Sequence, residues 1–351
     1  MFKVRVFFRG DRQPVGRRVI PLAPLVILTG CTSVPDGEER FHVNSAGMSM
    51  PVVVFGDRDA STLIVHVHGG PGESRIDTWL GAETRLAERF LFATWAQRST
   101  AFATGNLRRD TMTLEQHVLD LRAVLEVLHA KYPAKRIVLT AFSWGGAMAI
   151  DYLTTQPADY VEGLVVVGGL ISARVAIDSS WPMLAEHGAH QIARGGDRDY
   201  WEEVVDLSGR FTNALETLAS EDYLDEFVRP RVDACSQMRR DLDLPDNVEN
   251  EPKSTYERYQ LLPPAEAKAV RWVVEELLAI DLQDRLPAIE VPALVLWGEL
   301  DCNIPIDSFQ IALDEIPNAR GRAFPGIPHD VIDSAPADYA HAVGEFIDEL
   351  P

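Results

Sequence analysis

Residues 138–146, VLTAFSWGG, constrain the fold of this chain more than any other segment. A run of apolar and β-branched residues ends at Phe142 and predicts a buried strand, and a helical spacing of apolar residues begins directly afterwards. Ser143 therefore stands at a sharp strand-to-helix turn between the small residues Ala141 and Gly145. Such a turn raises a serine hydroxyl above the sheet edge and is typical of a nucleophile. The alternative is a buried Ser-Gly turn that opens a core helix.

Strand patterns and amphipathic helical patterns alternate on both sides of this turn. The predicted strands cover residues 41–57 (two strands joined by a turn), 61–68, 90–95, 135–142, 161–168, 291–297 and 320–324. Most are continuously apolar, which indicates a parallel sheet that is covered on both faces. We therefore predict an α/β fold with a mostly parallel, eight-stranded sheet. Thr113 is expected to cap the long amphipathic helix that precedes the fifth strand.

The alternation stops between residues 171 and 285, where helical stretches such as 265–278 replace the strands. We predict that residues 171–285 form a helical lid inserted into a core made of residues 41–170 and 286–351. Glu275 and Glu276 in this segment could hold a substrate ammonium group. A solvated charged face is the favoured interpretation of that acidic pair.

The first thirty residues have the pattern of an export signal. A basic stretch ends at Arg18, and the apolar run at 19–28 is shorter than the roughly 20 residues that span a bilayer. The sequence LTGC follows at 28–31 and resembles the lipobox of bacterial lipoproteins, in which the cysteine is lipidated. We predict a signal peptide at 1–30, a lipid anchor at Cys31, a linker at 31–40 and a membrane-anchored lipoprotein on the periplasmic or extracellular side. The alternative is a frayed tail with an incidental cysteine. The basic region is long for a signal peptide, which is consistent with a later translation start.

Net charge restricts the partners of the chain. The formal charge is −20, and residues 1–30 carry +5, so the remainder carries −25. A body this acidic repels nucleic acid and anionic membrane surfaces but tolerates cationic substrates. The predicted partner is a small peptide or ester substrate, with no nucleic acid and with membrane contact only through Cys31.

Three cysteines are present, and Cys31 is the predicted lipid site. Cys235 and Cys302 could pair in an oxidising compartment. A sequence alone does not place two cysteines within bonding distance, so their pairing stays open at this point.

The motif HGGPG at residues 68–72 follows a predicted strand and forces a fixed loop with exposed backbone N–H groups. In a serine hydrolase such a loop supplies one oxyanion donor, and the residue after the nucleophile, here Trp144, supplies the other. His66 and His68 share one strand face, which raises the possibility of a metal pair. No carboxylate or further histidine follows closely, so metal is disfavoured. We predict that His68 fixes its own loop and that the site uses no metal or cofactor.

Three polar residues follow predicted strands in the order Ser143, Asp301 and His329. The carboxyl ends of parallel strands meet at one edge of a sheet, where ligands bind. A histidine there can take the serine proton, and a buried carboxylate can hold the imidazole and its charge. Asp330 and Asp333 are alternatives for the acid. These spacings predict a serine–histidine–aspartate triad.

The HGGPG motif, the Gln97-Arg98 pair and the segment FSWGG at 142–146 together resemble the proline iminopeptidase (prolyl aminopeptidase) branch of the α/β-hydrolases. The resemblance covers about residues 41–350. It implies Ser143 as nucleophile, Asp301 as acid and His329 as base, with Gly70 and Trp144 as the oxyanion donors. Enzymes of this branch release an N-terminal residue, often proline, from short peptides, and acids in the lid hold the α-ammonium group.

Two positions depart from the pattern of that branch. Its Asp-Gln-Arg-Gly reads AQRS at residues 96–99, and Ala141 replaces the first glycine of the turn.

The favoured function is a serine aminopeptidase that works through an acyl-enzyme. A carboxylesterase or lactonase on the same triad and a non-catalytic lipoprotein binding module are the alternatives. Ser143 argues against epoxide hydrolases and dehalogenases of this fold, which use an aspartate nucleophile.

Overall fold

The computed structural model describes residues 37–72, 76, 81–211, 229–244, 272–273 and 276–351. The predicted signal peptide and Cys31 lie outside these residues. Strand β1 begins at Glu39, whose backbone pairs with Val54 of the next strand. The last two residues of the predicted linker at 31–40 therefore belong to the sheet.

The described strands form one sheet. They are β1 (Glu39–Ser45), β2 (Met48–Gly56), β3 (Thr62–Val67), β4 (Leu91–Trp95), β5 (Thr104–Gly105), β6 (Arg136–Phe142), β7 (Val161–Val167), β8 (Ala293–Gly298) and β9 (Ala319–Phe324). The order is β1-β2-β4-β3-β6-β7-β8-β9, and β5 pairs with β2. The eight strands of the main path confirm the prediction. The two-residue β5 was missed because so short a strand leaves no periodic pattern.

The direction of the strands divides the sheet into two parts. β1 and β2 are antiparallel to their neighbours, whereas β4, β3, β6, β7, β8 and β9 run parallel. The carboxyl ends of β3, β6, β8 and β9 therefore lie at one edge, and the loops that follow these strands carry the candidate residues.

The described helices connect successive strands, except the last two, which follow β9. They are α1 (Gly81–Ala87), α2 (Leu114–Lys131), α3 (Trp144–Thr155), α4 (Ala173–Ala193), α5 (Arg198–Phe211), α6 (Arg229–Asp241), α7 (Ile306–Glu315), α8 (Val331–Ser334) and α9 (Pro336–Asp348). Thr113 caps α2 as predicted, since its side chain accepts the Gln116 N–H at 3.2 Å. None of the helices described here combines the length and apolar composition needed to cross a membrane.

Alternate residues of the parallel strands face two separate cores. In β6, Leu139 packs into a core formed with α2 and α3, and Val138 faces a core formed with α1 and α9. Both side chains are fully buried. This arrangement explains why the strands are continuously apolar and confirms the prediction of a sheet covered on both faces.

Helices α4, α5 and α6 lie in the chain between β7 and β8 and have a small core of their own. Trp181 of α4, Trp201 of α5 and Met238 of α6 are buried together there. Most of the predicted helix at 265–278 lies outside the described residues. Glu275 also lies outside them. Among the described residues, no strand lies between β7 and β8.

Candidate active site

The backbone of Ser143 is held in a sparsely populated conformation. Its φ of 53° and ψ of −119° lie where a non-glycine residue is strained. The Ser143 N–H donates to the carbonyl of Val167 at 3.0 Å, and the Ser143 carbonyl accepts the N–H groups of Gly146 and Leu170, each at 2.9 Å. The bonds with Val167 and Leu170 tie the turn to β7 and to the segment after it, so the surrounding structure maintains the strain.

Close packing explains the glycine after this turn. A Cβ on Gly145 would collide with the carbonyl oxygen of Val67 and lie 2.8 Å from that of His68. Helix α3 therefore starts in direct contact with the end of β3. This contact places the serine and the HGGPG loop side by side, and a Cβ on Gly69 would lie 3.1 Å from the Ser143 Cβ.

The structure brings Ser143, His329 and Asp301 together. His329 Nε2 lies 3.0 Å from Ser143 Oγ, and His329 Nδ1 lies 2.6 Å from Asp301 Oδ2. An ionised carboxylate only accepts hydrogen bonds, so Nδ1 carries the proton and Nε2 is left to accept the serine hydroxyl. This tautomer is the one that a general base next to a serine requires.

The Asp301 carboxylate is fully buried and has a partner on each oxygen. Its Oδ1 accepts the N–H groups of Asn303 at 2.9 Å and Ile304 at 2.8 Å, and its Oδ2 faces His329. A Cβ on Gly168 would lie 3.1 Å from His329 Nδ1, so the glycine leaves just enough space for this pair. Asp330, one of the alternative acids, pairs instead with Arg239 at 3.0 Å.

The predicted oxyanion donors lie on the two segments that meet at the serine. Trp144 is the first residue of α3, where backbone N–H groups have no acceptor within the helix. Gly70 lies in the loop after β3 with a φ of 119°. His68 fixes this loop as predicted, because its Nδ1 donates to the Gly69 carbonyl at 2.7 Å. The other member of the considered metal pair, His66, contacts the Thr140 hydroxyl at 3.1 Å.

Gln97 joins these two segments, which sequence reasoning did not foresee. Its side-chain amide N–H donates to the His68 carbonyl at 2.8 Å, and its amide oxygen accepts the indole N–H of Trp144 at 3.0 Å. Its backbone N–H donates to His68 Nε2 at 3.2 Å. Gln97 is fully buried. The three segments that carry the family resemblance are thus hydrogen-bonded to one another.

A buried ion pair fixes the position of Gln97. Arg98 forms two hydrogen bonds with Asp120 of α2, at 2.5 and 2.6 Å, and neither side chain is exposed. A buried pair offsets its desolvation only when its geometry is good, and the bidentate contact meets that condition. The pair fastens the segment after β4 to α2 directly beside Gln97.

His117 of α2 packs behind the site with its ring nearly perpendicular to that of Trp144, the ring centroids 5.4 Å apart. Its Nδ1 lies 2.8 Å from the Thr113 carbonyl. Burial lowers the pKa of His117 from its ordinary value of 6.5 to about 4, against the smaller opposing effect of Asp120. The imidazole is therefore neutral at physiological pH.

A disulfide joins Cys235 of α6 to Cys302, with Cα atoms 5.8 Å apart. This separation is usual for a disulfide. The pairing that the sequence left open therefore connects the segment between β7 and β8 to the residue after Asp301.

The fold and the site place this chain in a known class. A model of the alpha/beta hydrolase family matches residues 64–342, and the chain belongs to this family. The matched range contains the HGGPG loop, Ser143, Asp301 and His329.

Individual relatives of different activities are similar to the chain at low identity. It is 21% identical over 140 residues to a probable aminopeptidase, YbaC, of Bacillus subtilis, which covers 40% of the chain and 41% of that protein. It is 24% identical to the pimeloyl-[acyl-carrier protein] methyl ester esterase of Vibrio vulnificus, over 66% of the chain and 77% of that protein. The crystal structure of proline iminopeptidase of Mycobacterium smegmatis matches 89% of the chain and 98% of its own, with a TM-score of 0.58 and 19% identity. This last similarity establishes the fold.

The neutral His117 predicts a loss of stability in acid. Below pH 6.5 the unfolded chain binds a proton that the folded protein excludes, so the free energy of unfolding decreases as the pH falls towards 4. The shift corresponds to about 3 kcal/mol at most. Urea unfolding of the wild type and of His117→Asn at pH 7.5 and 5.0 measures this loss. We expect a smaller difference between the two pH values in the variant, and equal differences would contradict the assignment.

Proposed function

We propose that the chain is a serine hydrolase that works through an acyl-enzyme on Ser143. The observation that carries the proposal is the continuous hydrogen-bonded series from Ser143 Oγ through His329 to Asp301. Such an arrangement converts a weak hydroxyl nucleophile into an effective one because the base stands within reach of its proton.

The steps follow from the positions of the atoms. Ser143 Oγ attacks the substrate carbonyl carbon while His329 Nε2 accepts the hydroxyl proton. Asp301 stabilises the resulting imidazolium through Nδ1–H. His329 then gives the proton to the leaving amine or alcohol, and an acyl-serine forms. Water, activated by the same imidazole, attacks the acyl carbonyl and releases the acid and the free serine.

The backbone N–H groups of Gly70 and Trp144 are the proposed oxyanion donors. Donors of this kind act on charge that appears only in the transition state, and removing one costs about 100- to 1000-fold in kcat. Because Gln97 is hydrogen-bonded to both His68 and Trp144, the two donor segments are held at a fixed separation before substrate arrives.

Within this class we favour an aminopeptidase of the proline iminopeptidase type. The three segments that resemble that branch are in direct contact here, and one similar curated protein is a probable aminopeptidase. The acidic character of the chain suits a substrate with a free α-ammonium group. In this proposal, residues 171–285 form a lid that recognises the ammonium group.

Ester hydrolysis is the second candidate. Ala96 stands where the iminopeptidase pattern has an aspartate, which removes one carboxylate from the neighbourhood of the site. The similarity to a methyl ester esterase covers 66% of the chain, against 40% for the probable aminopeptidase. The same triad cleaves esters when the lid has no group that binds ammonium.

We also propose that the chain is an exported lipoprotein anchored through Cys31. The LTGC sequence supports this, and the Cys235–Cys302 disulfide suits an oxidising compartment. In a bacterium fed labelled palmitate, the full chain should incorporate label and Cys31→Ser should not, while Ser33→Ala serves as the control. Label that persists in Cys31→Ser would refute the anchor.

A fluorophosphonate probe tests whether Ser143 is nucleophilic. Intact-mass and peptide analysis should find one covalent adduct, on Ser143, in the folded wild type and none in Ser143→Ala. Loss of the nucleophile should lower kcat by a factor of about 10⁴ or more. A folded wild type that stays unlabelled would instead favour the binding module without catalysis.

Two pairs of substrates separate the peptidase from the esterase. The first compares kcat/KM for proline p-nitroanilide and p-nitrophenyl acetate, and we expect the higher value for the anilide. The second compares proline p-nitroanilide with its N-acetyl derivative, which differs only in the ammonium group. We expect at least a tenfold preference for the free amine. The reverse ranking in the first pair together with no preference in the second would leave a serine esterase.

A further inference from the structure

We propose that helix α6 positions the triad by holding the Asp301 loop and the His329 loop at the same time. This inference rests on the proposed function, because it assigns a role to α6 in the same reaction. Two separate sets of contacts carry it, one from each half of the helix. The first involves Arg231 and Cys235, and the second involves Arg239.

The first set of contacts holds the turn that orients Asp301. Cys235 is covalently bonded to Cys302, and Arg231 Nη1 donates to the carbonyls of Cys302 at 3.3 Å and Asn303 at 3.0 Å. Ser180 of α4 adds a hydrogen bond to the Cys302 carbonyl at 2.6 Å. The backbone N–H groups of residues 303 and 304 donate to Asp301 Oδ1. The same turn therefore binds α6 through its carbonyl groups and the Asp301 carboxylate through its N–H groups.

The second set of contacts holds the residue after His329. Arg239 Nη1 lies 3.0 Å from Asp330 Oδ1, and Nη2 lies 3.4 Å from Oδ2. The two side chains are only 23% and 20% exposed. Solvent therefore screens this pair less than it screens the exposed ion pairs on the surface, many of which contribute little. Asp330 also immediately precedes α8, so the ion pair fixes the exit of the loop.

Both contacts are made by one helix, so α6 connects the two loops rigidly. Arg231 and Arg239 are eight residues apart, which in an α-helix is about 12 Å. A helix of this length can reach two loops at the edge of a sheet without bending. The hydrogen bonds of 2.6 and 3.0 Å in the triad depend on the relative position of these loops, and a misplacement of about 1 Å can cost about 100-fold in rate.

The Arg239–Asp330 contact offers the sharper test. The ion pair is removed by Arg239→Gln, by Asp330→Asn and by the double variant that combines them. Arg240→Gln is the matched control, because the side chain of the neighbouring Arg240 donates to Gln237 within α6 and makes no hydrogen bond to the His329 loop among the described residues. Arg239→Lys is the conservative variant. All are measured in the full chain for kcat, KM, the rate of fluorophosphonate labelling and the melting temperature.

We expect Arg239→Gln and Asp330→Asn each to lower kcat and the labelling rate about 10- to 100-fold with KM changed less than twofold. The double variant should be no worse than either single change, since all three break one contact. Arg239→Lys should recover part of the rate, and Arg240→Gln should match the wild type. Unchanged kcat in Arg239→Gln, or a loss that only follows the melting temperature across all variants, would overturn the proposal.

A second readout separates this inference from the proposed function. The proton between His329 Nδ1 and Asp301 gives a low-field NMR signal whether or not Ser143 reacts. It should weaken or shift in Arg239→Gln and persist in Arg240→Gln. An unlabelled wild type with this response refutes the hydrolase and keeps the positioning contact. If the wild type is labelled but neither the NMR signal nor the rate changes in Arg239→Gln, the hydrolase proposal stands and the positioning contact is refuted.

The disulfide is tested with Cys235→Ser combined with Cys302→Ser. We expect the double serine variant to stay folded through the Arg231 contacts, with a lower kcat and an unchanged KM. Reduction of the wild type by a dithiol breaks the same S–S bond, supplies two electrons and two protons, and leaves two thiols. It should reproduce the effect of the double serine variant. A fully active variant with the wild-type NMR signal would remove the disulfide from the proposal.

Discussion

The site depends on the contact between the start of helix α3 and the end of strand β3. Gly145 permits this contact, because any side chain there would strike the Val67 carbonyl. The serine turn is strained, and its hydrogen bonds to Val167, Gly146 and Leu170 hold it in place. The rigid parallel sheet maintains this strained conformation. The loops that carry the other candidate residues extend from strands of the same sheet.

Several buried polar groups beside the site are joined in sets. Gln97 satisfies groups on His68 and Trp144, and Arg98 satisfies Asp120 in the adjacent position. Buried polar groups without partners are costly, so a set of this kind specifies one arrangement of its segments more sharply than apolar packing does. The HGGPG loop, the segment after β4 and the first turn of α3 are therefore one structural unit.

Much of the fold and the three residues of the candidate triad could be predicted from the sequence. Ser143 and Asp301 follow the apolar strands β6 and β8, and His329 follows β9; parallel strands bring such positions to one edge whatever the details of packing. The contacts of Cys235 and Arg239 could not be predicted in this way. They depend on how a helix of the interrupting segment packs against loops far away in the chain, and local periodicity does not contain that information. Gln97 belongs to a recognisable motif, but its hydrogen-bond partners could not be predicted because they follow other strands of the sheet.

The interruption between β7 and β8 also has a consequence for the order of folding. These strands are neighbours in the sheet, yet helices α4 to α6 lie between them in the chain. Pairing them requires closure of a loop of more than a hundred residues, and non-local closures of this kind are slow. Ser143 belongs to the half that can assemble early, while Asp301 and His329 arrive with β8 and β9. The order of these segments therefore predicts that the turn at Ser143 forms before His329 is placed beside it.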